Sequence, residues 1–395
     1  MPFKETCAME ERIAMFREYD SGVFGVSELA RRYGISRETF YQWKRRRDGG
    51  DAEWFRDRAS APGSCPHQTE AWVAESILAM KRRFPGFGPK KVRAKLAEAH
   101  THITWPATST VGDILKRAGL VDVGSRRRRP RELGEIVAGG IEPNDEWSID
   151  FKGWFRTRGG QRIDPLTVSD TACRYLLTVR IVAPGYAGVR EELERVFDEV
   201  GLPVAMRSDN GPPFGSVGAG GLSRLSVWLL RLGVGVRFIP PGSPQDNGRH
   251  ERMHRELKSA TARSPARSAA EQQIRFDAFR NHYNEERPHE ALGQTPPARH
   301  WRTSGRRLPS EIAEPWYDAE HEIRRVRGSG EIKWRGEEIF IGEALAGETV
   351  GLRVHENGAY LVTFCGHQLG AIGRDGRFLR FAPPRARLRY AKETP

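Results

Sequence analysis

Between residues 146 and about 300, short β-rich runs alternate with amphipathic helical segments, and this order constrains the fold more than any other feature of the chain. Three successive runs have the patterning of strands: WSIDFKGWF, RIDPLTVSD and RYLLTVRIV. A helix, a strand, a helix, a strand and a long helix follow them: YAGVREELERVFDEV, PVAMRSD, LSRLSVWLLRLG, VRFI and RHERMHRELKSATAR. The order predicts an α/β domain over residues 141–302, although alternation alone is compatible with several α/β folds.

The N-terminal residues 1–50 predict a helix-turn-helix. In VSELARRYGISRETFYQWKRR, Gly34 permits a tight turn and Ser36 is a suitable cap for a second helix that carries Phe40 and Trp43 on its apolar side. The alternative is a helical hairpin whose basic residues only solvate it. On the helix-turn-helix interpretation, the residues that face DNA are Arg37, Thr39, Gln42, Lys44 and Arg45.

Two further segments link this module to the α/β domain. Residues 65–122 predict a second helical DNA-binding domain, with a plain helical spacer as the alternative. Residues 123–140 have the composition of a linker and contain a basic block that could contact phosphates, namely Arg126, Arg127 and Arg128. Most such blocks are only solvated surface, so a specific DNA contact is a hypothesis.

The C-terminal residues 316–390 are β-rich. Runs such as EIKWRGEEIFIG and ETVGLRVHENGAYLVTF are separated by Gly and Asn-Gly turns, which predicts a small β-barrel. The arginine-rich end of this segment could contact DNA or could serve as a structural cap on the preceding domain.

The charge balance favours a polyanionic partner. The 64 Lys and Arg residues exceed the 51 Asp and Glu residues, which gives a net charge of +13. Nucleic acid is the commonest polyanion, although a basic soluble enzyme would have the same composition.

The four cysteines are far apart and predict neither a disulfide framework nor a zinc cluster. Cys65 and His67 could bind a metal, but two ligands without a second pair are more consistent with chance. The chain has no apolar run near the roughly 20 residues that span a bilayer, and no signal peptide. We expect a protein of the reducing cytoplasm.

Three acidic residues occupy positions suited to chemistry. Asp150 lies inside a predicted strand between aromatic residues, where an isolated charge would be costly unless it were paired or bound to a metal. Asp209 ends a strand just before an Asn-Gly turn, and Glu251 lies in the first turns of a helix. Each has an ordinary alternative, such as an Asx turn for Asp209 or an ion pair with Arg255 for Glu251.

Taken together, WSIDFKG, SDNGPPF and SPQDNGRHERMHRELK resemble the three acidic blocks of the bacterial insertion-sequence transposases with a retroviral-integrase-like (DDE) catalytic core. The segment FRNHYNEERPHEALGQTPPARHW resembles the stretch that follows those blocks. The resemblance is close over about 140–302 and looser elsewhere. It implies a multi-domain protein with N-terminal all-α helix-turn-helix modules, a central α/β ribonuclease-H-like core and the C-terminal small β-barrel.

The resemblance also implies the site. It makes Asp150, Asp209 and Glu251 both the catalytic and the metal-binding residues, with two ions of Mg²⁺ or Mn²⁺ as the cofactor. It implies a DNA role for Asn247, Arg249, His254 and Lys258. The partners would be double-stranded DNA, as terminal repeats and target, and further copies of the chain assembled on DNA near the bacterial nucleoid.

One departure concerns the 41 residues between Asp209 and Glu251, a spacing longer than is usual in retroviral integrases. GSVGAGGLSR is the expected insertion, and a surface loop would accommodate it at small cost. Asp246 and Glu256 therefore stay open as substitutes for the third acid. Two functions compete with this one. The first is a DNA-binding regulator or domesticated protein with an unused catalytic core, and the second is a ribonuclease H or junction nuclease that hydrolyses without joining.

Overall fold

A computed structural model describes residues 7–58, 68–121, 140–239, 248–355 and 358–381. The basic block 126–128, Asn247, Asp246 and the pair Cys65 and His67 lie outside these ranges. The chain divides into two compact units, residues 1–70 and 71–395, which are described separately. No helix within the described ranges is both long and apolar enough to cross a membrane.

The first unit is a three-helix module. Its helices are α1 (Ala8–Asp20), α2 (Val26–Arg32) and α3 (Arg37–Asp48). The cap predicted for α3 is confirmed, because the Ser36 hydroxyl oxygen accepts a hydrogen bond from the Thr39 N–H at 3.0 Å. The rings of Phe16 and Phe40 stack with centroids 4.8 Å apart, so α1 and α3 share one apolar core.

The second unit begins with three more helices: α4 (Ala71–Arg83), α5 (Pro89–Ala99) and α6 (Thr108–Arg117). They enclose their own buried cluster, to which α6 contributes Val111, Ile114 and Leu115. The His282 ring stacks on Phe84 at 5.5 Å between centroids, so this helical region packs against the domain that follows it.

The α/β domain is built on a mixed five-stranded sheet. Its strands, with a short hairpin inserted after the first, are β1 (Glu146–Phe151), β2 (Phe155–Arg156), β3 (Arg162–Ile163), β4 (Pro165–Asp170), β5 (Leu176–Ile181), β6 (Ala205–Ser208) and β7 (Gly235–Phe238). The order across the sheet is β5-β4-β1-β6-β7, in which β4 runs antiparallel to its neighbours and β1, β6 and β7 are parallel.

The described residues of this domain also form the α-helices α7 (Tyr186–Val200), α8 (Arg224–Arg231), α9 (Gly248–Leu257) and α10 (Ala269–Asn281). The predicted succession of three strands, helix, strand, helix, strand and helix is therefore confirmed. Successive side chains of a strand point to opposite faces. One face of the sheet presents Trp147 and Ile149 to α7 and α8, and the other presents Thr167 and Ser169 to α9.

The C-terminal strands are β8 (His321–Arg325), β9 (Glu331–Trp334), β10 (Glu337–Phe340), β11 (Thr349–Val354), β12 (Tyr360–Phe364), β13 (His367–Ile372) and β14 (Phe378–Arg380). The described strands form an open sheet, β14-β13-β12-β11-β8, and a separate β9-β10 ladder, so the predicted small barrel is not confirmed. The apolar residues of this sheet share a buried cluster with Val227 and Leu230 of α8. The neighbouring domain therefore covers surface that a closed barrel would bury within itself.

The expected insertion is not a free surface loop, which corrects the sequence-based expectation. Its residues Ala219 and Leu222 are buried, at 4% and 1% exposure, in the cluster shared with the C-terminal sheet. The Gly220 carbonyl lies 3.1 Å from His367 Nε2, and Arg380 donates to the Val217 carbonyl at 2.8 Å. The extra length thus attaches the C-terminal sheet to the α/β domain.

Candidate active site

Asp150 lies near the carboxyl end of β1. Its side chain is 22% exposed and points to the α9 face of the sheet, opposite to the face that Trp147 and Ile149 occupy. The β1–β4 register sets Asp150 directly across from Thr167. The partly exposed Asp150 carboxylate therefore lies where the end of β1, the neighbouring strand β4 and the helix α9 meet.

Asp209 follows the last residue of β6. The parallel register pairs Ser148 with Arg207, and Asp150 and Asp209 each follow two residues later, with Asp209 just past the end of β6. Asp209 is exposed as a whole residue and accepts a hydrogen bond from the Gly211 N–H at 3.2 Å. Loss of water around its carboxyl raises its pKa, and the Gly211 N–H opposes this rise.

Glu251 lies in the first turn of α9 and is exposed. Three and seven residues on, His254 and Lys258 follow along the same flank of the helix. His254 Nδ1 lies 3.9 Å from Asp150 Oδ2, so the flank that carries Glu251 adjoins the β1 carboxylate. The opposite flank carries Glu256, whose carboxylate is paired with the guanidinium of Arg287.

This pairing bears on the third acid. A carboxylate already held by an arginine on the far flank of α9 is poorly placed to complete a site at Asp150. Glu256 is therefore a weaker choice than Glu251, and the other substitute, Asp246, lies outside the described residues.

Two histidines of α9 and two hydroxyls of β4 form a buried polar cluster. The Thr167 Oγ1 atom lies 2.7 Å from His250 Nε2 and 2.7 Å from His254 Nε2, and it donates to the Asp150 carbonyl oxygen at 3.0 Å. The Ser169 hydroxyl lies 3.1 Å from His250 Nδ1. Burial lowers the pKa of His254 to about 4, with the charge of Lys152 adding to the effect, and burial also lowers the pKa of His250 well below its usual value.

The sequence resemblance implies that His254 contacts DNA, and this role remains a prediction. The ring is turned into the sheet and is only 13% exposed, so phosphate groups have little access to it. The roles of His250, Thr167 and Ser169 were missed. The available signal was a pair of histidines four residues apart on one predicted helix, together with polar residues alternating on a predicted strand.

Two lysines border the acidic site. Lys152 lies two residues beyond Asp150 on β1's extension, and its pKa is lowered by burial and then by the charge of Lys258. The two ammonium groups therefore influence one another at the edge of the site. Lys152 was not predicted, whereas Lys258 is exposed in the position that the sequence analysis gave it.

The residues expected to read DNA in the first unit differ in their availability. Arg37 and Gln42 are exposed, and Arg45 is exposed but pairs with Glu38 at 2.8 Å. The Thr39 hydroxyl lies 2.8 Å from that of Ser36 at the helix cap. Lys44 is half-buried rather than outward and pairs with Asp48 at 2.5 Å. The side chain of Arg249 is not described.

The donors at the site suit a hard divalent cation. Asp150, His250 and His254 each offer one ligand atom, and these atoms lie within 4.8 Å of one another. The group has one carboxylate, whose oxygens are donors that Mg²⁺ and Mn²⁺ prefer, and two imidazoles, and neither Asp209 nor Glu251 belongs to it. The residues present therefore fit the metal that the sequence resemblance implies.

Comparison with known families gives three matches along the chain. The family model described as a helix-turn-helix domain matches residues 11–53, and the integrase core domain matches residues 232–297. The C-terminal domain of the IS481 family transposases matches residues 321–377. The integrase match includes Glu251 but neither Asp150 nor Asp209.

Sequence relatives decide the family. The uncharacterized 31.7 kDa protein of insertion element IS407 from Burkholderia multivorans is 30% identical over 241 residues, which cover 59% of this chain and 81% of that protein. The chain belongs to the insertion-sequence transposases with an integrase-type core. This transposase is also 31% identical over 184 residues to the uncharacterized 39.2 kDa protein of IS476 from Xanthomonas euvesicatoria, over 45% of the chain and 50% of that protein. Its enzyme class is that of the DDE-type polynucleotidyl transferases.

Solved integrases give weaker likenesses. A chain of the simian T-cell lymphotropic virus intasome, in complex with a regulatory subunit of PP2A, has a TM-score of 0.36 and 17% identity, over 68% of this transposase and 91% of that chain. The HTLV-2 integrase catalytic core domain in complex with magnesium has a TM-score of 0.32 and 14% identity, over 41% and 98%. The family assignment rests on the sequence relatives, because TM-scores this low do not establish a shared fold.

Proposed function

We propose that this transposase binds the ends of its insertion element and catalyses divalent-metal-dependent cleavage and joining of DNA strands. The observation that carries the proposal is the placement of the acids. Asp150 lies near the carboxyl end of β1, Asp209 directly follows the neighbouring parallel strand β6, and Glu251 lies in the first turn of α9, which packs on β4 beside Asp150. This ribonuclease-H-like arrangement is suited to a shared metal site.

Asp150, Asp209 and Glu251 would hold Mg²⁺ or Mn²⁺, as two ions. When bound, a metal pair supplies an activated water or 3′-hydroxyl and stabilises the oxygen that leaves phosphorus. The carboxylates themselves must be ionised to bind, so the raised pKa of Asp209 makes metal binding at this residue sensitive to acidic pH.

The cations beside the acids would position the DNA backbone. Lys152 and Lys258 lie at the rim of the site, where ammonium groups can contact the phosphates that flank the reacting bond. The basic block 126–128, Asn247 and Arg249 are proposed to add backbone contacts. Such contacts give affinity that falls as salt concentration rises.

The helix-turn-helix would supply recognition of the element ends. Arg37 and Gln42 on α3 are exposed and are available to base edges in the major groove, while Arg45 can reach DNA by leaving Glu38. Residues 65–122 would act as a second DNA-binding domain. We propose that copies of the chain assemble on paired ends, with double-stranded terminal repeats and target DNA as partners.

A strand-transfer assay with labelled element ends and Mg²⁺ or Mn²⁺ tests the proposal. Asp150→Asn, Asp209→Asn and Glu251→Gln should each abolish joined product and leave binding of the ends unchanged, because an amide removes the charge with little change of shape. Glu256→Gln on the same helix is the matched control and should retain activity.

The outcomes separate the competing functions. Cleaved but unjoined DNA from the native chain would indicate a nuclease, and binding with neither product would indicate a regulator whose core is unused. Loss of activity in Glu256→Gln but not in Glu251→Gln would reassign the third acid. Robust joining by Asp150→Asn would refute the site.

A further inference from the structure

The Thr167 hydroxyl on β4 contacts three polar groups at once. Its oxygen lies 3.0 Å from the Asp150 carbonyl oxygen, 2.7 Å from His250 Nε2 and 2.7 Å from His254 Nε2. Thr167 is fully buried, with 0% exposure. Buried polar groups are normally hydrogen-bonded, so the proton positions in this cluster follow from a count of donors and acceptors.

A hydroxyl has one proton to donate and two lone pairs to accept with. The Asp150 carbonyl can only accept, so the Thr167 proton must point to it for that contact to be a hydrogen bond. Both lone pairs then accept from the imidazoles, which requires a proton on Nε2 of His250 and on Nε2 of His254. Any other arrangement sets two acceptors against each other within the cluster.

These proton positions leave the two histidines with different abilities to bind a further ligand. In a neutral ring with its proton on Nε2, Nδ1 carries a lone pair. The Nδ1 atom of His250 lies 3.1 Å from the Ser169 hydroxyl, which donates to it, so both nitrogens of this ring are engaged. His254 Nδ1 instead faces Asp150 Oδ2 at 3.9 Å, beyond hydrogen-bonding distance.

We propose that His254 Nδ1 is a metal ligand beside Asp150, held in the ligating tautomer by Thr167. Two ligands about 2.1 Å from one ion are about 3.0 Å apart when adjacent in an octahedron and about 4.2 Å apart when opposite. The 3.9 Å separation falls within that span and needs only a small side-chain rotation to reach the adjacent arrangement. His250 is a positioning residue, because it reaches the metal site only through Thr167.

The inference deepens the proposed function and rests on it, because Asp150 must hold a metal for His254 to share. It adds an imidazole nitrogen to a site expected to contain carboxylates alone. Nitrogen donors favour Mn²⁺ over the harder Mg²⁺. The quantity to compare is the ratio of the Mg²⁺ dissociation constant to the Mn²⁺ dissociation constant. This ratio should be larger for the native transposase than for its His254→Asn variant.

Pulsed electron paramagnetic resonance of the full-length chain loaded with Mn²⁺ tests the inference without measuring activity. The native chain should show the coupling of a directly bound imidazole nitrogen, and ¹⁵N-labelled histidine should shift that coupling without any mutation. His254→Asn should lose the coupling and bind Mn²⁺ at least about tenfold more weakly. His102→Asn, which changes an exposed ring outside the site, should retain both properties.

Asp150→Asn separates this inference from the proposed function. Mn²⁺ binding that depends on Asp150 but shows no histidine nitrogen in the native chain would overturn the role of His254 and leave the acidic site intact. Mn²⁺ binding that does not respond to Asp150→Asn would overturn both. Thr167→Val should weaken the nitrogen coupling while His254 is still present, and an unchanged coupling would contradict the proposed tautomer control.

Discussion

Replacing Thr167 by valine removes one buried hydroxyl and keeps the β-branched shape of the side chain. The change withdraws the hydrogen-bond partner of the two imidazole N–H groups and one of the partners of the Asp150 carbonyl. Leaving a buried donor or acceptor unpaired costs about 1–3 kcal/mol. The Asp150 carbonyl keeps the backbone partner that the β1–β4 ladder gives it, and His254 retains 13% exposure and can reach water. The buried N–H of His250 therefore bears the penalty alone, and the expected destabilisation is about 1–3 kcal/mol.

Thr167→Ser is the matched control, because it keeps the hydroxyl and loses only a methyl group. Its expected cost is about 1 kcal/mol. Hydrogen–deuterium exchange of peptides from β1 and β4, measured without metal, reports the opening free energy of this part of the sheet. Equal protection in the valine and serine variants would refute the account of the polar cluster.

The remaining predictions concern other parts of the chain. Gly220→Ala should loosen the C-terminal sheet and speed its proteolysis, because a Cβ there would lie 2.9 Å from His367 Nε2. Gly293→Ala is the control, because Gly293 also has a positive φ but has open space around it. It measures the backbone cost alone, which is about 1–2 kcal/mol. Burial lowers the pKa of His289 to about 3 from an ordinary 6.5, so the unfolded chain takes up the proton first and up to about 5 kcal/mol of stability is lost as pH falls from 6.5 towards 3. His289→Asn should flatten this slope in acid unfolding, and an unchanged slope would contradict the assignment. Arg37→Ala should weaken binding to labelled element ends and reduce its salt dependence; an unaltered titration would exclude contact at this position.

The order of helices and strands in the α/β domain could be predicted because it is encoded locally. Alternating apolar residues in WSIDF and the helical periodicity of YAGVREELERVFDEV each reflect the face that one element buries. The Ser36 cap is equally local, since it depends on backbone groups within one turn. The acidic blocks could be singled out because each is a short local run of sequence and the three occur together in the order that the resembled family has.

Features that depend on contacts between distant segments could not be predicted. The pairing of Asp150 with Thr167 is a matter of strand register, and the position of His254 over both residues depends on where α9 crosses the sheet. Sequence alone therefore gave His254 an outward role. The barrel prediction failed because sheet closure depends on which neighbour covers the apolar face, and here α8 and the segment around Ala219 cover part of it.

The most direct test of the account locates the metal. Crystals of the transposase soaked in Mn²⁺ and measured for anomalous scattering should show ions bound by Asp150, Asp209 and Glu251, with His254 at the ion nearest β1. Mn²⁺ found only elsewhere, in protein that still joins element ends to target DNA, would contradict the claim that these acids form the catalytic site.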